Sequence, residues 1–138
     1  MSSAPTAADA PTYVDSSAFV KLVLAEPESD ALRQFLTASP RQLTASTLLE
    51  VEATRVARAA GGAAANAMAD ALRAVVLVDV TPAIRARARL LDPVHLRTLD
   101  AIHLATALEV GVREVLVYDN RLGAAAADYG MSVLSPGA

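Results

Sequence analysis

The sequence contains no cysteine, and this absence excludes disulfide bonds, thiolate chemistry and zinc sites that are built on cysteine. Only two histidines are present, His95 and His103, which are too few for a histidine-rich metal site. If the chain binds a divalent metal ion, the ligands must therefore be mainly oxygen atoms. Oxygen ligands favour magnesium or manganese.

Long hydrophobic runs are also absent, because no apolar stretch approaches the roughly 18 residues that cross a bilayer. The first eleven residues lack both the basic start and the apolar segment of a signal peptide. We therefore expect residues 1–11 to form a flexible tail and residues 12–138 to form a single domain. We also expect a cytoplasmic protein with no membrane attachment.

Basic residues are few: the twelve are all arginines except Lys21, and the formal net charge is −3. This balance disfavours a protein that coats nucleic acid non-specifically through its phosphates. It leaves open an enzyme that holds nucleic acid locally with a few arginines. Arg85, Arg87 and Arg89 are candidates for such contacts, although a solvated helix face explains them equally well.

Short β-type runs alternate with helical patterns along the whole chain. Strands are predicted at 12–14, 42–45, 75–80, 115–118 and 131–134, with the run at 75–80 predicted to be buried. Helices are predicted at 16–24, 28–36, 47–60, 63–73, 83–91, 99–110 and 121–128. This alternation predicts an α/β fold, a three-layer α/β/α sandwich with a mainly parallel central sheet. In such sheets, ligands bind at the carboxyl ends of the strands.

Two aspartates directly follow predicted strands. Asp15 follows the first strand and Asp119 follows the strand predicted at 115–118. Aspartate is common in turns, so either residue taken singly is explained by turn formation. Their shared position at strand ends also makes both of them candidates for a functional site.

Glu52 interrupts an apolar stripe on the helix predicted at 47–60. The stripe of Leu48, Leu49, Glu52 and Val56 follows helical spacing, so we expect Glu52 to lie in the middle of the buried face. A buried carboxylate needs a cation nearby, which is either Arg55 or a metal ion. Glu50, in contrast, is expected to face the solvent.

Asp100 lies in the first turn of a helix that is apolar nearly all round. An acid in this position is favoured by the helix dipole, which is a purely structural explanation. The same position brings Asp100 close to the strand ends. Four converging carboxylates, Asp15, Glu52, Asp100 and Asp119, would repel one another unless they share one or two divalent cations. Such cations can cleave phosphodiester bonds.

Several motifs resemble those of PIN-domain ribonucleases, especially the VapC-type toxins. Residues 13–22, YVDSSAFVKL, resemble the opening motif of the family, and residues 98–108, TLDAIHLATAL, closely resemble its central motif. Residues 117–122, VYDNRL, resemble the third motif, and residues 46–55, STLLEVEATR, resemble the helix that carries the family's glutamate. The resemblance covers nearly all of the chain after the tail.

The resemblance implies a Mg²⁺- or Mn²⁺-dependent endoribonuclease that is inhibited by a cognate antitoxin and is often a homodimer. Carried across, Asp15, Glu52, Asp100 and Asp119 form the acidic quartet that binds the metal and cleaves RNA. The sequence departs from the family at Val117, where a hydroxyl residue is usual two positions before the last acid.

Other residues near the motifs carry weaker signals. His103 can approach a phosphate, but a structural role is the more common one for such a histidine. Asn120 can supply a neutral oxygen ligand, although it is typical of a turn. Asp79 also lies at the end of a predicted strand, but none of the motifs includes it.

Rival functions with acidic strand ends fit less well. A hydrolase with an aspartate nucleophile would need a second acid two residues after Asp15, where Ser17 stands, and a receiver-type signalling domain would need a lysine after a late strand. A PIN-like binding module without catalytic activity remains an alternative. Finally, residues 33–36 and the helix from Thr47 carry surplus apolar residues, which we expect to bind the antitoxin.

Overall fold

The computed structural model describes residues 10–138, so residues 1–9 of the predicted tail lie outside the described part. The strands are β1 (Pro11–Val14), β2 (Gln42–Ser46), β3 (Val76–Val78), β4 (Glu114–Leu116) and β5 (Ser132–Leu134). The helices are α1 (Ser16–Phe19), α2 (Ser29–Ala38), α3 (Leu48–Ala59), α4 (Gly62–Leu72), α5 (Pro82–Ala88), α6 (Thr98–Val110) and α7 (Asn120–Asp128). A short 3-10 turn, Val20–Leu22, follows α1.

The five strands form one sheet in the order β3-β2-β1-β4-β5, and every pairing is parallel. The predicted α/β fold with a parallel sheet is therefore confirmed. The central strand β1 pairs through Tyr13 with Thr44 of β2 and Val115 of β4. The backbone N–H of Asp15 extends this pairing by donating to the carbonyl of Leu116 at 3.3 Å. The carboxyl ends of the three central strands consequently meet at one edge of the sheet.

Helix α6 is the most deeply buried helix along its middle, where the five residues 103–107 are all buried. This agrees with a sequence that is apolar nearly all round. The helix ends at Gly111, whose φ of 79° is a left-handed conformation that glycine adopts without strain. Within residues 10–138, no helix is long and apolar enough to span a membrane, and α6 is the longest at 13 residues.

Strand β3 differs from its prediction. The run at 75–80 was expected to be a buried strand, but only Val76–Val78 pair and the strand lies at the edge of the sheet. Val76 is 46% exposed, whereas Leu77 and Val78 are half-buried. The prediction was wrong because a short valine-rich run has the composition of a central strand. At the other end of the chain, β1 already begins at Pro11, which the sequence assigned to the tail.

Candidate active site

Asp15 lies at the carboxyl end of β1, where its side chain caps the first turn of α1. The carboxylate accepts the backbone N–H of Ala18 at 3.1 Å and the hydroxyl of Ser17 at 2.7 Å. Burial raises the pKa of Asp15 to about 6, although these two hydrogen bonds lower it, and the negative charge of Asp100 adds to the rise. Asp15 is therefore a buried acid whose charged form is destabilised by its surroundings.

Asp119 caps the first turn of α7, because its Oδ1 accepts the backbone N–H of Leu122 at 2.9 Å. It lies three residues beyond the end of β4, whereas the sequence predicted it directly after the strand. The intervening loop is nevertheless fixed, since the N–H of Tyr118 donates to the hydroxyl of Ser17 at 3.0 Å. Ser17 thus connects the loop that carries Asp119 to the loop that carries Asp15.

Glu52 lies at the margin of the buried face of α3 and is half-buried. The buried residues of α3 are Leu49, Ala53 and Ala57. The predicted stripe through Val56 was therefore wrong, because Val56 is 44% exposed and the small alanines face the core instead. Glu50 is exposed, as expected, and Arg55 is exposed as well.

The partner of Glu52 is His103 on α6. The Nε2 atom of His103 lies 2.6 Å from Oε1 of Glu52, and its Nδ1 atom lies 2.5 Å from the hydroxyl oxygen of Tyr13. That hydroxyl also accepts the backbone N–H of Ser46 at 3.0 Å. His103 is only 2% exposed, so both ring nitrogens are bonded inside the protein. This arrangement agrees with the structural role favoured for this histidine.

Asp100 lies in the first turn of α6 and is half-buried. Partial burial raises its pKa, the charge of Asp119 raises it further, and the positive side chain of Arg97 opposes the rise. The charge of Glu52 also raises the pKa of Asp100. All four predicted acids therefore act on one electrostatic neighbourhood at the carboxyl edge of the sheet.

The donor chemistry of this neighbourhood fits a hard cation. The described acids offer carboxylate oxygens, which are the ligands that Mg²⁺ and Mn²⁺ prefer. Among residues 10–138, however, no three histidine, aspartate or glutamate side chains are arranged to hold one metal ion. Magnesium commonly takes only one or two carboxylates and completes its shell with water and substrate phosphate. The acids therefore fit an open site and not a closed metal cage.

A cavity of about 910 Å³ forms a groove between α5 and the start of α6. Its lining is mainly apolar and contains none of the four acids. Two of the three candidate arginines, Arg85 and Arg87 on α5, already have protein partners. Arg87 pairs with Glu109 at 2.8 Å, and Arg85 donates to the carbonyl of Val80 at 3.2 Å. A structural explanation thus accounts for these two arginines.

Comparison with known proteins identifies the family. The model of the PIN domain family matches residues 12–128, which is most of the chain. The chain belongs to the PIN-domain family. Ribonuclease VapC46 of Mycobacterium tuberculosis is 45% identical over 127 residues, which cover 90% of this chain and 96% of the relative. The predicted resemblance to VapC-type PIN-domain ribonucleases is confirmed.

Two solved structures share the fold. VapC20 of Mycobacterium tuberculosis, described as a toxin that cleaves the sarcin–ricin loop, superposes with a TM-score of 0.70 at 22% identity. The match covers 83% of this chain and 94% of VapC20. A toxin–antitoxin complex from Klebsiella pneumoniae gives the same TM-score at 21% identity, with 91% and 97% of the two chains covered.

The departure from the PIN family at Val117 has a structural counterpart. Val117 is buried, and one of its methyl groups packs against α7 at Gly123. If Gly123 carried a Cβ atom, that atom would lie 3.6 Å from Cγ1 of Val117. Its position favours apolar packing over a hydroxyl contact. The neighbouring loop is instead bonded by the hydroxyl of Ser17. Asn120 is exposed at the start of α7.

Sequence reasoning missed Ser17 and Tyr13 as supports of the acids. Ser17 was noted only as the residue that stands where a hydrolase with an aspartate nucleophile would need a second acid. A hydroxyl two residues after Asp15 is nevertheless well placed to bond a capping carboxylate. Tyr13 was assigned to a strand with no further role. Its link to His103 joins residues 90 positions apart in the chain, and no local pattern indicates such a contact.

Proposed function

We propose that this chain is a Mg²⁺- or Mn²⁺-dependent endoribonuclease in which Asp15, Glu52, Asp100 and Asp119 form the metal-binding and catalytic site. The observation that carries the proposal is that these acids raise one another's pKa through the repulsion of their negative charges. Asp100 contributes to the raised pKa of Asp15, and Asp119 and Glu52 contribute to the raised pKa of Asp100. A cation among them would offset this repulsion.

Three of the four carboxylates are bonded to other groups of the protein before RNA binds. Asp15 is oriented by the hydroxyl of Ser17 and Asp119 by the backbone N–H of Leu122. Glu52 is oriented by His103. When bound, the cation would supply an activated water and neutralise the leaving oxygen of the phosphodiester. Preorganised ligands support this chemistry because little rearrangement is then needed as the RNA reacts.

We further propose that the chain is the toxin of a type II toxin–antitoxin pair that acts in the cytoplasm, where RNA is available, and forms a homodimer. Kinship with VapC46 and the fold shared with the Klebsiella complex support an antitoxin partner. On α3, Val51 is 57% exposed and Val56 is 44% exposed. An antitoxin segment with apolar anchors fits such a surface. On α2, Phe35 and Leu36 are only half-buried, which leaves further apolar side chains accessible to a partner.

A PIN-like binding module without catalysis is the alternative, and metal removal separates the two. Purified protein would be incubated with total RNA in EDTA and then with excess Mg²⁺ or Mn²⁺. We expect cleavage only after metal is added back. An Asp119→Asn variant that is purified in parallel measures contaminating nuclease. RNA that is bound but never cut by the wild-type protein would overturn the proposed activity and favour the binding module.

A further inference from the structure

A chain of hydrogen bonds runs from the backbone of β2 to Glu52 through two buried side chains. The N–H of Ser46 donates to the hydroxyl of Tyr13 at 3.0 Å. The hydroxyl oxygen of Tyr13 lies 2.5 Å from Nδ1 of His103, and Nε2 of His103 lies 2.6 Å from Oε1 of Glu52. Tyr13 and His103 are 3% and 2% exposed, so water does not compete for these bonds.

The direction of each bond follows from the donors and acceptors that the described hydrogen bonds offer to the Tyr13 hydroxyl and to the His103 ring. The Tyr13 oxygen accepts the Ser46 N–H and carries one proton of its own, for which Nδ1 of His103 is the acceptor among the described hydrogen bonds. That proton is donated to Nδ1 of His103, the ring nitrogen at 2.5 Å. Nδ1 is then the acceptor nitrogen and Nε2 carries the hydrogen. His103 therefore donates Nε2–H to Glu52 with its tautomer fixed by Tyr13.

We propose that His103 is the positioning residue of Glu52, and that Tyr13 acts with it by fixing the tautomer that donates to Oε1. The bond engages one oxygen of Glu52 and restrains the carboxylate at the margin of α3, where its charge acts on Asp100. Without it, a half-exposed glutamate on a helix surface would sample several rotamers. This inference rests on the proposed function, because it concerns how Glu52 is presented to the metal.

The rival explanation is that Tyr13 and His103 only stabilise the core. Both accounts predict that Tyr13→Phe lowers the free energy of unfolding, since the buried Ser46 N–H loses its acceptor. Only positioning predicts that metal binding weakens in the folded variant. Loss of a partner that orients a metal ligand typically reduces metal affinity about 10- to 100-fold.

The chain offers a matched control in Tyr129. Its hydroxyl also accepts a backbone N–H at 3.0 Å, from Asp92, but it lies at the end of α7 and outside the acidic neighbourhood. Tyr129→Phe therefore removes the same kind of bond at an exposed position, without touching the chain that ends at Glu52. His103→Gln and His103→Leu provide a second pair, because only glutamine keeps a side-chain donor.

The experiment has two readouts on the intact protein. Nitrogen-15 NMR of the metal-free protein reports the tautomer of His103, and calorimetric titration with Mn²⁺ reports metal affinity. We expect the Nε2–H tautomer in the wild type, mixed tautomers in Tyr13→Phe, and Mn²⁺ affinity about 10-fold or more lower in Tyr13→Phe. Tyr129→Phe should match the wild type, and His103→Gln should bind Mn²⁺ more tightly than His103→Leu.

Each contrary result has a distinct meaning. An Nδ1–H tautomer in the wild type, or Mn²⁺ affinity that is equal in the wild type and Tyr13→Phe, would overturn the positioning role alone. Equal Mn²⁺ affinity in His103→Gln and His103→Leu would also overturn the positioning role. This comparison can be made even if Tyr13→Phe fails to fold. A wild-type protein that binds no Mn²⁺ would overturn the proposed function and with it this use of Glu52.

Discussion

Ser17 donates its hydroxyl hydrogen to the carboxylate of Asp15 at 2.7 Å. The same hydroxyl oxygen accepts the backbone N–H of Tyr118, one residue before Asp119. One small side chain thus fixes the orientation of the first acid and the loop that presents the last one. Ser17 and Tyr118, which are 101 positions apart in the sequence, are thereby joined at the carboxyl edge of the sheet.

Replacement of Ser17 by alanine should raise the pKa of Asp15 above its value of about 6, because the hydroxyl bond lowers that pKa by favouring the charged form. RNase activity should fall about 10-fold or more, as is typical when a ligand loses its orienting partner. Carboxyl-carbon NMR of the metal-free protein measures the pKa. Ser16→Ala, one residue away in the same turn, is the control. An unchanged pKa in Ser17→Ala would contradict the assigned role.

Asp15→Asn should stabilise the metal-free protein near pH 7. The pKa of Asp15 is raised in the folded state, from 3.8 to about 6, so the folded protein holds its proton more tightly than the unfolded chain. Wild-type stability should therefore fall as pH rises through this window, by at most roughly 2–3 kcal/mol. Asparagine still caps a helix, so the variant should lack this fall.

Denaturant unfolding at pH 4 and pH 7 measures the difference. The wild type and Asp15→Asn should differ least at pH 4, and Mn²⁺ should stabilise only the wild type at pH 7. If the free energy of unfolding of the two proteins changed in parallel with pH across this range, burial of the Asp15 charge would not be what destabilises the wild type at pH 7.

Glu52→Gln should reduce RNase activity about 100-fold or more, whereas Glu50→Gln should leave it nearly unchanged. The two glutamates are on the same helix, but only Glu52 bonds His103, and Glu50 is exposed. Initial rates on one RNA substrate at saturating Mn²⁺ give the comparison. If Glu50→Gln lowered the activity and Glu52→Gln left it unchanged, the metal would lie on the other face of α3.

Arginine at Val51 or Val56 should weaken the antitoxin complex without lowering the RNase activity of the free toxin. Both valines are exposed on α3, and neither is one of the four acids. Co-purification with the product of the adjacent antitoxin-like gene measures binding, and an RNase assay of the complex measures inhibition. Tight, inhibited complexes with both variants would place the antitoxin on another surface.

The sequence predicted the sheet and the order of helices because both depend on local patterns. It failed on α3, where Ala53 and Ala57 form the buried face with Leu49 and the more hydrophobic Val56 is 44% exposed. A hydropathy pattern ranks valine above alanine, whereas a helix that packs closely needs small residues. It also misjudged β3, because edge and central strands have similar compositions.

The four acids were all recognised as candidates from their positions and motifs, and the structure brings their charges together. Their supports were not recognised. Glu52 and His103 are 51 positions apart, and Tyr118 and Ser17 are 101 apart. Such contacts exist only once β1, β4 and α6 are packed together, so they lie beyond any local sequence pattern.

The most direct test of the proposed activity compares two aspartates at the same edge of the sheet. Asp100 lies among the acids, whereas Asp79 follows β3 and is exposed. Metal-dependent RNase activity would be measured for Asp100→Asn and Asp79→Asn, with circular dichroism confirming that both are folded. We expect Asp100→Asn to lose about 100-fold or more of the activity and Asp79→Asn to retain it. Full activity in a folded Asp100→Asn protein would contradict a carboxylate-bound metal as the source of cleavage.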